Sequence, residues 1–339
     1  MRILMVRLSA LGDVVMASGL PAALRARHPD AHITWLVQEG FETLPAADPA
    51  LDEVLVWPRR QWRALWQGRC YGAWLRAVRG FVRELRARRF DLAIDAQGLL
   101  KSASWVRLCG ARERWGVDPG EGSRWLLTRV LRTPHDKTFA AEYGYLAEAL
   151  GLRAPQPALS LPAGSAVAAR ALLDAHAVSG GYAVLAPFTT RPQKHWPEHS
   201  WATLARRLQA ERGLTPLLLG AAADRPAARR IAGVSGAVDL TGHTDIGTAA
   251  ALVATARQVV GVDTGLTHMG VAAGVPTVAL FGSTCPYRSA PGRPLTVLTL
   301  DLPCSPCKRR PVCGGAYPCL SGIGVDDVMA AIPNTVMSA

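Results

Sequence analysis

The stretch Arg2-Ile-Leu-Met-Val-Arg-Leu-Ser-Ala-Leu-Gly-Asp13 decides the fold. Residues 2–7 form a short, continuous apolar run bounded by charge, the pattern of a parallel strand buried on both faces. Ser9-Ala-Leu-Gly12 then reads as a tight turn. Asp13 through about His28 carries apolar residues at helical spacing, with Asp13 in the first turn, where the helix dipole favours an anion. A buried strand that runs at once into a helix opens a βαβ unit with a right-handed crossover.

Reading outward, Ile33–Val37, Val54–Trp57 and Asp91–Asp95 are further strands, the last ending in the loop Ala96-Gln-Gly98. The second half repeats the scheme. Strands are expected at Tyr182–Pro187, Thr215–Leu219, Gln258–Val262 and Thr277–Phe281, and helices at Glu198–Arg212, Ile246–Ala256 and Leu266–Ala273. Leu152-Arg-Ala-Pro-Gln-Pro-Ala-Leu-Ser-Leu-Pro162 has the composition of a semi-rigid linker. The expectation is an α/β chain of two domains facing a cleft, with ligands at the carboxyl ends of the strands.

Composition narrows the function classes. Of 339 residues 49% are hydrophobic and 19% charged, which excludes a disordered tail. No apolar run approaches the roughly 18 residues that span a bilayer. Arg7 and Asp13 interrupt the first apolar run and no small-residue cleavage site follows, so a signal peptide is not expected. Seven cysteines are an odd number, which argues against a fully paired disulfide framework and for a reducing, cytosolic compartment. Lysine plus arginine exceeds aspartate plus glutamate by 38 − 26 = +12, so an anionic partner is expected: nucleic acid, a membrane surface or a phosphorylated substrate.

Five features could carry chemistry. Asp13, at a helix start over the sheet's carboxyl edge, could accept a proton from a substrate hydroxyl, although a first-turn acid is also a common cap. No G-x-G-x-x-G follows the first strand, so a dinucleotide fingerprint is lacking. Asp263-Thr-Gly-Leu-Thr-His268 opens a helix after a strand, and its backbone N–H groups with the Thr264 and Thr267 hydroxyls suit a phosphate or pyrophosphate. Thr189, Thr190, Arg191 and Lys194 share one loop after a strand, where Lys194 could neutralise a leaving diphosphate without a metal ion. His195 there reads equally well as a loop histidine packed on Trp196. Between Trp57 and Phe90 stand ten arginines and four tryptophans against one acid, Glu84, a mixture that suits nucleic acid, an anionic bilayer or a phosphorylated glycolipid. Last, Cys304, Cys307, Cys313 and Cys319 could bind a structural zinc, pair as disulfides or stay free.

In this order the motifs resemble glycosyltransferase family 9, the lipopolysaccharide heptosyltransferases. The residues that carry the resemblance are the opening stretch to Asp13, Asp95-Ala-Gln-Gly98 with Lys101-Ser102, Thr189-Thr190 with Lys194-His-Trp-Pro197, and Asp263–His268. Val37-Gln-Glu-Gly40 and Trp62-Arg63 are most similar to heptosyltransferase I, which adds the first heptose to Kdo-lipid A. The resemblance implies a GT-B fold of two Rossmann-like domains, an acceptor domain at 1–158 and a nucleotide-sugar domain at 159–325, with 326–339 packing back on the first. It implies inverting transfer from ADP-L-glycero-β-D-manno-heptose with no catalytic cofactor, at the cytoplasmic face of the inner membrane as a peripheral protein. By it Asp13 is the catalytic base. Thr189, Thr190 and Lys194 bind the diphosphate; Asp263, Thr264, Gly265, Leu266 and Thr267 bind the donor, with His268 supporting. Arg60, Arg63, Gln97 and Lys101 fall to the acceptor.

Two features depart from heptosyltransferase I. Gly220-Ala-Ala-Ala-Asp224 lacks a glutamate common there, with Asp224 the candidate replacement, and the cysteine cluster is more like heptosyltransferase II. The rival class is a basic nucleic-acid-binding protein, but no helix-turn-helix, RNP or zinc-finger pattern is present, and no nucleic-acid partner is expected.

Overall fold

The computed structural model of the protein describes residues 1–134, 136–307 and 310–333. The chain divides into two compact units, Met1–Asp136 with Ala140–Pro162, and Lys137–Phe139 with Ala163–Ala339.

In the first unit six parallel strands, β1 (Arg2–Val6), β2 (His32–Gln38), β3 (Glu53–Trp57), β4 (Leu92–Asp95), β5 (Glu113–Val117) and β6 (Arg129–Leu131), lie in the order β3-β2-β1-β4-β5-β6. Ile3, Leu4, Met5 and Val6 are all fully buried, as a central strand covered on both faces requires. Ile3 registers against Ile33 on one side and Leu92 on the other. The helices are α1 (Leu11–Ala17), α2 (Leu20–Arg27), α3 (Arg59–Gln67), α4 (Tyr71–Ala87), α5 (Leu100–Leu108) and α6 (Ala141–Ala149).

The second unit repeats the plan. Its strands are β7 (Tyr182–Ala186), β8 (Thr215–Leu218), β9 (Val238–Asp239), β10 (Gln258–Val262), β11 (Thr277–Phe281) and β12 (Leu295–Thr299), in the order β12-β11-β10-β7-β8-β9. Its helices are α7 (Ser165–Ala175), α8 (Glu198–Arg212), α9 (Arg225–Ser235), α10 (Ile246–Ala254), α11 (Gly265–Ala273), α12 (Pro318–Ser321) and α13 (Val325–Ala331). Both sheets have the doubly wound order in which the first strand of the unit and the fourth are neighbours. The chain reverses direction across the sheet there, so the loops leaving those two strands splay apart and open a crevice. All four motifs singled out above follow such strands: β1 and β4 in one unit, β7 and β10 in the other.

Four expectations need correction. The helix from Asp13 to His28 is two helices. Ser18 ends the first, with its N–H and hydroxyl both on the Val15 carbonyl, and Pro21 sits in the first turn of the second. At Gly19 a Cβ would lie 2.7 Å from the backbone of Gln156, so the break is where another chain segment passes. The proline-rich stretch is accordingly no loose tether: Ala158 N–H donates to Ser18 Oγ at 2.9 Å, and residues to Pro162 belong to the first unit. The tryptophans between 57 and 90 are largely core. Trp57, Trp62 and Phe81 pack around Trp105, because α3 and α4 turn their apolar stripes to the sheet. At the C-terminus α13 packs against α8 within the second unit, and residues 334–339 lie outside the described residues.

Candidate active site

At the carboxyl edge of the first sheet the centre of the arrangement is Arg7, which leaves β1 almost fully buried. Its Nη1 donates to the Ala96 carbonyl at 2.8 Å, its Nη2 meets Asp13 Oδ2 at 2.9 Å, and the guanidinium stands 5.9 Å from the Tyr143 ring centroid. Burial works against its charge, but Tyr143, Asp13 and Glu142 outweigh that and raise its pKa. Asp13 is the third residue of α1. Its Oδ2 also accepts the Ala10 N–H at 2.9 Å, so the capping role is real. Both contacts fall on the same oxygen. Oδ1 carries neither, and the side chain is 38% exposed.

Gln97 and Lys101 join this group from the β4 side. Gln97 Oε1 accepts the Leu8 N–H at 3.0 Å, tying the exits of β1 and β4 together. Buried Asp95 shapes the loop by accepting the Gln97 and Gly98 N–H groups. Lys101 Nζ donates to Ser9 Oγ at 3.2 Å; burial and the positive Arg59 and Arg7 lower its pKa. Arg60 and Arg63 stand apart on exposed turns of α3, with the Arg60 N–H on Glu39 Oε1.

In the second unit the motifs after β7 and β10 meet. Lys194 Nζ donates to Asp263 Oδ2 at 2.5 Å, and the Thr284 hydroxyl donates to the same oxygen. Asp263 Oδ1 lies 3.2 Å from His268 Nε2, and His268 Nδ1 lies 2.7 Å from the Tyr287 hydroxyl. Phe139 packs edge-on against Tyr287 at 4.9 Å between ring centroids. Burial pushes the Asp263 carboxyl up, but His268 and Lys194 more than offset it and hold it well below the ordinary carboxylate range. The carboxylate is therefore a permanent anion that fixes the cation beside the start of α11. There Thr264 occupies the cap position without a side-chain hydrogen bond, which leaves the first N–H groups of a nine-residue helix for an outside anion.

Two residues of the loop motifs have other duties. The Thr267 hydroxyl donates to the Val262 carbonyl at 2.6 Å beneath Gly261, so it braces the turn and is not turned to a ligand. His195 Nε2 lies 2.8 Å from the Thr189 carbonyl and closes its own loop, while Trp196 packs on Trp201 and donates to the Ile323 carbonyl. Thr190 is exposed on that loop. Sequence reasoning missed Arg7, Glu142, Thr284 and Tyr287. Thr284 follows Gly282 after β11 and Arg7 follows β1, so both obey the same strand-end rule and were within reach; nothing local marks Glu142 or Tyr287.

Cys304, Cys307, Cys313 and Cys319 are free thiols. Burial raises the Cys319 pKa, and the other three thiols act in the same direction. The four do not form a metal-ligand set: among the described residues no three His, Cys, Asp or Glu side chains are so arranged, and Lys308 and Arg309 lie outside them. Among the described residues no helix is long and apolar enough to cross a membrane.

A family model for glycosyltransferase family 9 (heptosyltransferase) matches residues 78–316. Lipopolysaccharide heptosyltransferase 1 of Pseudomonas aeruginosa is 38% identical over 321 residues, covering 91% of this chain and 87% of that one. Lipopolysaccharide heptosyltransferase 2 of Escherichia coli is 28% identical over 311 residues, 86% of this chain and 85% of that one. The structure of E. coli heptosyltransferase WaaC with ADP-2-deoxy-2-fluoro heptose superposes with a TM-score of 0.72 at 27% identity, covering 97% of this chain and 98% of that one. The two doubly wound sheets are thus the GT-B fold, and with a family model spanning most of its length this chain belongs to glycosyltransferase family 9, the heptosyltransferases.

Proposed function

We propose that the protein is an inverting glycosyltransferase of lipopolysaccharide inner-core synthesis that moves L-glycero-D-manno-heptose from ADP-heptose to Kdo-lipid A. The observation that carries the donor side is Lys194 held on Asp263 beside the uncapped start of α11. A cation and a row of backbone N–H groups at one strand exit suit a nucleotide diphosphate. The greater identity to heptosyltransferase 1 than to heptosyltransferase 2 supports the first-heptose acceptor.

The reaction is one in-line displacement. Asp13 Oδ1 takes the proton of an acceptor hydroxyl as that oxygen attacks the anomeric carbon; the bond from that carbon to the diphosphate breaks, ADP leaves and the configuration inverts. Lys194 and the N–H groups of Gly265 and Leu266 meet the charge that grows on the diphosphate, with no metal ion in the step. Lys101, Gln97, Arg60 and Arg63 serve the anionic groups of the acceptor, and the protein works as a peripheral protein at the cytoplasmic face of the inner membrane.

A thermal-shift panel of nucleotide sugars tests the donor, followed by transfer to Kdo-lipid A. ADP-heptose is expected to stabilise the protein above UDP and GDP sugars. Equal shifts for all three, or transfer only to an acceptor already bearing heptose, would favour a family 9 transferase with another donor or a later core acceptor, to which the run Gly220–Asp224 and the cysteine cluster point. There the Asp224 carboxylate accepts the Ala221 N–H at 2.9 Å.

A further inference from the structure

The turn joining α3 to α4 is the one part of the arginine-rich stretch that keeps large apolar side chains in water. Trp66 is 54% exposed, Tyr71 50% and Leu75 39%. The Trp66 ring lies 5.1 Å from both Tyr71 and Trp74, packed edge to face with each. Arg69 lies in the turn itself, and Arg76 and Arg79 are exposed one and two turns along α4. The single acid of the stretch, Glu84, is already paired with Arg88 at 3.2 Å. Exposed aromatic rings cost free energy in water, while the arginines beside them are well hydrated, and a bilayer surface favours both in one place. The amphipathic rings settle at the headgroup boundary of a bilayer while the cations meet anionic headgroups.

We propose that the α3–α4 corner is a bilayer-docking surface that seats the protein on anionic phospholipid. The rings contact one another edge to face and form a wedge, whereas single-stranded nucleic acid needs open faces for bases to stack on. The corner also stands at a useful distance. Helix α3 begins at the carboxyl end of β3, and from Arg60 to its last residue, Gln67, it rises about 10 Å along its axis. An acceptor whose anionic sugars stand on acyl chains is presented across such a distance. In this the proposal rests on the reading of the acceptor above.

The test uses full-length protein with no acceptor or nucleotide sugar present, sedimented with vesicles of phosphatidylcholine alone or mixed with phosphatidylglycerol. Wild type is expected to bind the mixed vesicles and to release as salt is raised. W66S/Y71S and R69E/R76E are each expected to bind at least about tenfold more weakly. Both variants should keep wild-type melting, ADP binding and transfer to a deacylated, soluble Kdo acceptor. Three results would overturn the proposal: wild type that does not distinguish the two vesicles, variants that bind like wild type, or a corner that retains RNA and no vesicle. A wild type that docks yet never transfers heptose to the soluble acceptor would sink the reading of function and uphold the docking surface.

Discussion

The two oxygens of Asp13 have separate duties. Oδ2 is spent on Arg7 and the Ala10 N–H, and the proposed reaction gives Oδ1 to the acceptor. Asp13→Asn keeps the capping geometry and removes the base, so kcat should fall about 10²–10⁴-fold while calorimetry finds ADP affinity unchanged. Turnover near wild type would remove Asp13 from the mechanism. Arg7 touches no reacting atom in this scheme; it positions Asp13. Arg7→Met should lower kcat by about tenfold or more with the acceptor KM little altered, and Arg7→Lys should recover much of it. A loss confined to melting temperature, with kcat intact, would make Arg7 a packing residue only. Asp263 gives the pH dependence. Its folded pKa is depressed, so the folded state binds this proton only at a pH below the usual carboxylate range. The stabilisation is whole above that range and is lost as pH falls through it and beyond. Asp263→Asn should therefore cost on the order of 3 kcal/mol at neutral pH, and denaturant titrations of the two proteins should converge as the solution is acidified. A gap that widened in acid would contradict the assigned sign. The placement of Asp13, Lys194 and Asp263 at strand exits was legible in the sequence, because strand ends mark them. Thr267 was misread, since which way a hydroxyl turns is decided by the missing Cβ of Gly261 beneath it.

At the scale of elements, legibility followed burial. Gln258–Val262, Thr277–Phe281 and Glu198–Arg212 were read to the residue because each has a clean apolar period and capped or glycine-marked ends. β5, with the sequence Glu-Arg-Trp-Gly-Val, and the three residues of β6 went unread, since outer strands half in water carry polar residues and show no apolar run. The division between α1 and α2 has another origin. Pro21 forbids one continuous helix over this stretch, since it has no N–H for the carbonyl four residues back and its ring clashes there, and at Gly19 the break meets Gln156, far along the chain. Gly19→Ala should thus cost about 1–3 kcal/mol, because the new methyl meets backbone that cannot yield. Gly72→Ala serves as the comparison: its Cβ would meet nothing within 4 Å inside α4, and the change should be neutral or slightly stabilising. Equal melting temperatures for the two variants would show that the Gln156 segment moves aside readily.

Over the whole molecule, two copies of one strand order have been given different work. The core around Trp62 and Trp105 is drawn wholly from the first unit, and the core around Trp196, Trp201 and Leu280 wholly from the second. Each sheet therefore carries its own stability, and a ligand held by one unit need not stiffen the other. The residues proposed for the donor all belong to the second unit. ADP at about 100 times its Kd adds roughly 2.7 kcal/mol to whatever must open to release it. Hydrogen exchange should then slow in the loop 187–197, in α11 and around Thr284 and Tyr287, where the Lys194–Asp263–His268 chain is assembled. The amides of β1 and α1, around Arg7 and Asp13, should exchange at nearly the rate of the protein without ADP. Protection that appeared first at Asp13, or spread equally over both sheets, would assign nucleotide recognition to the first unit and exchange the parts given to the two copies.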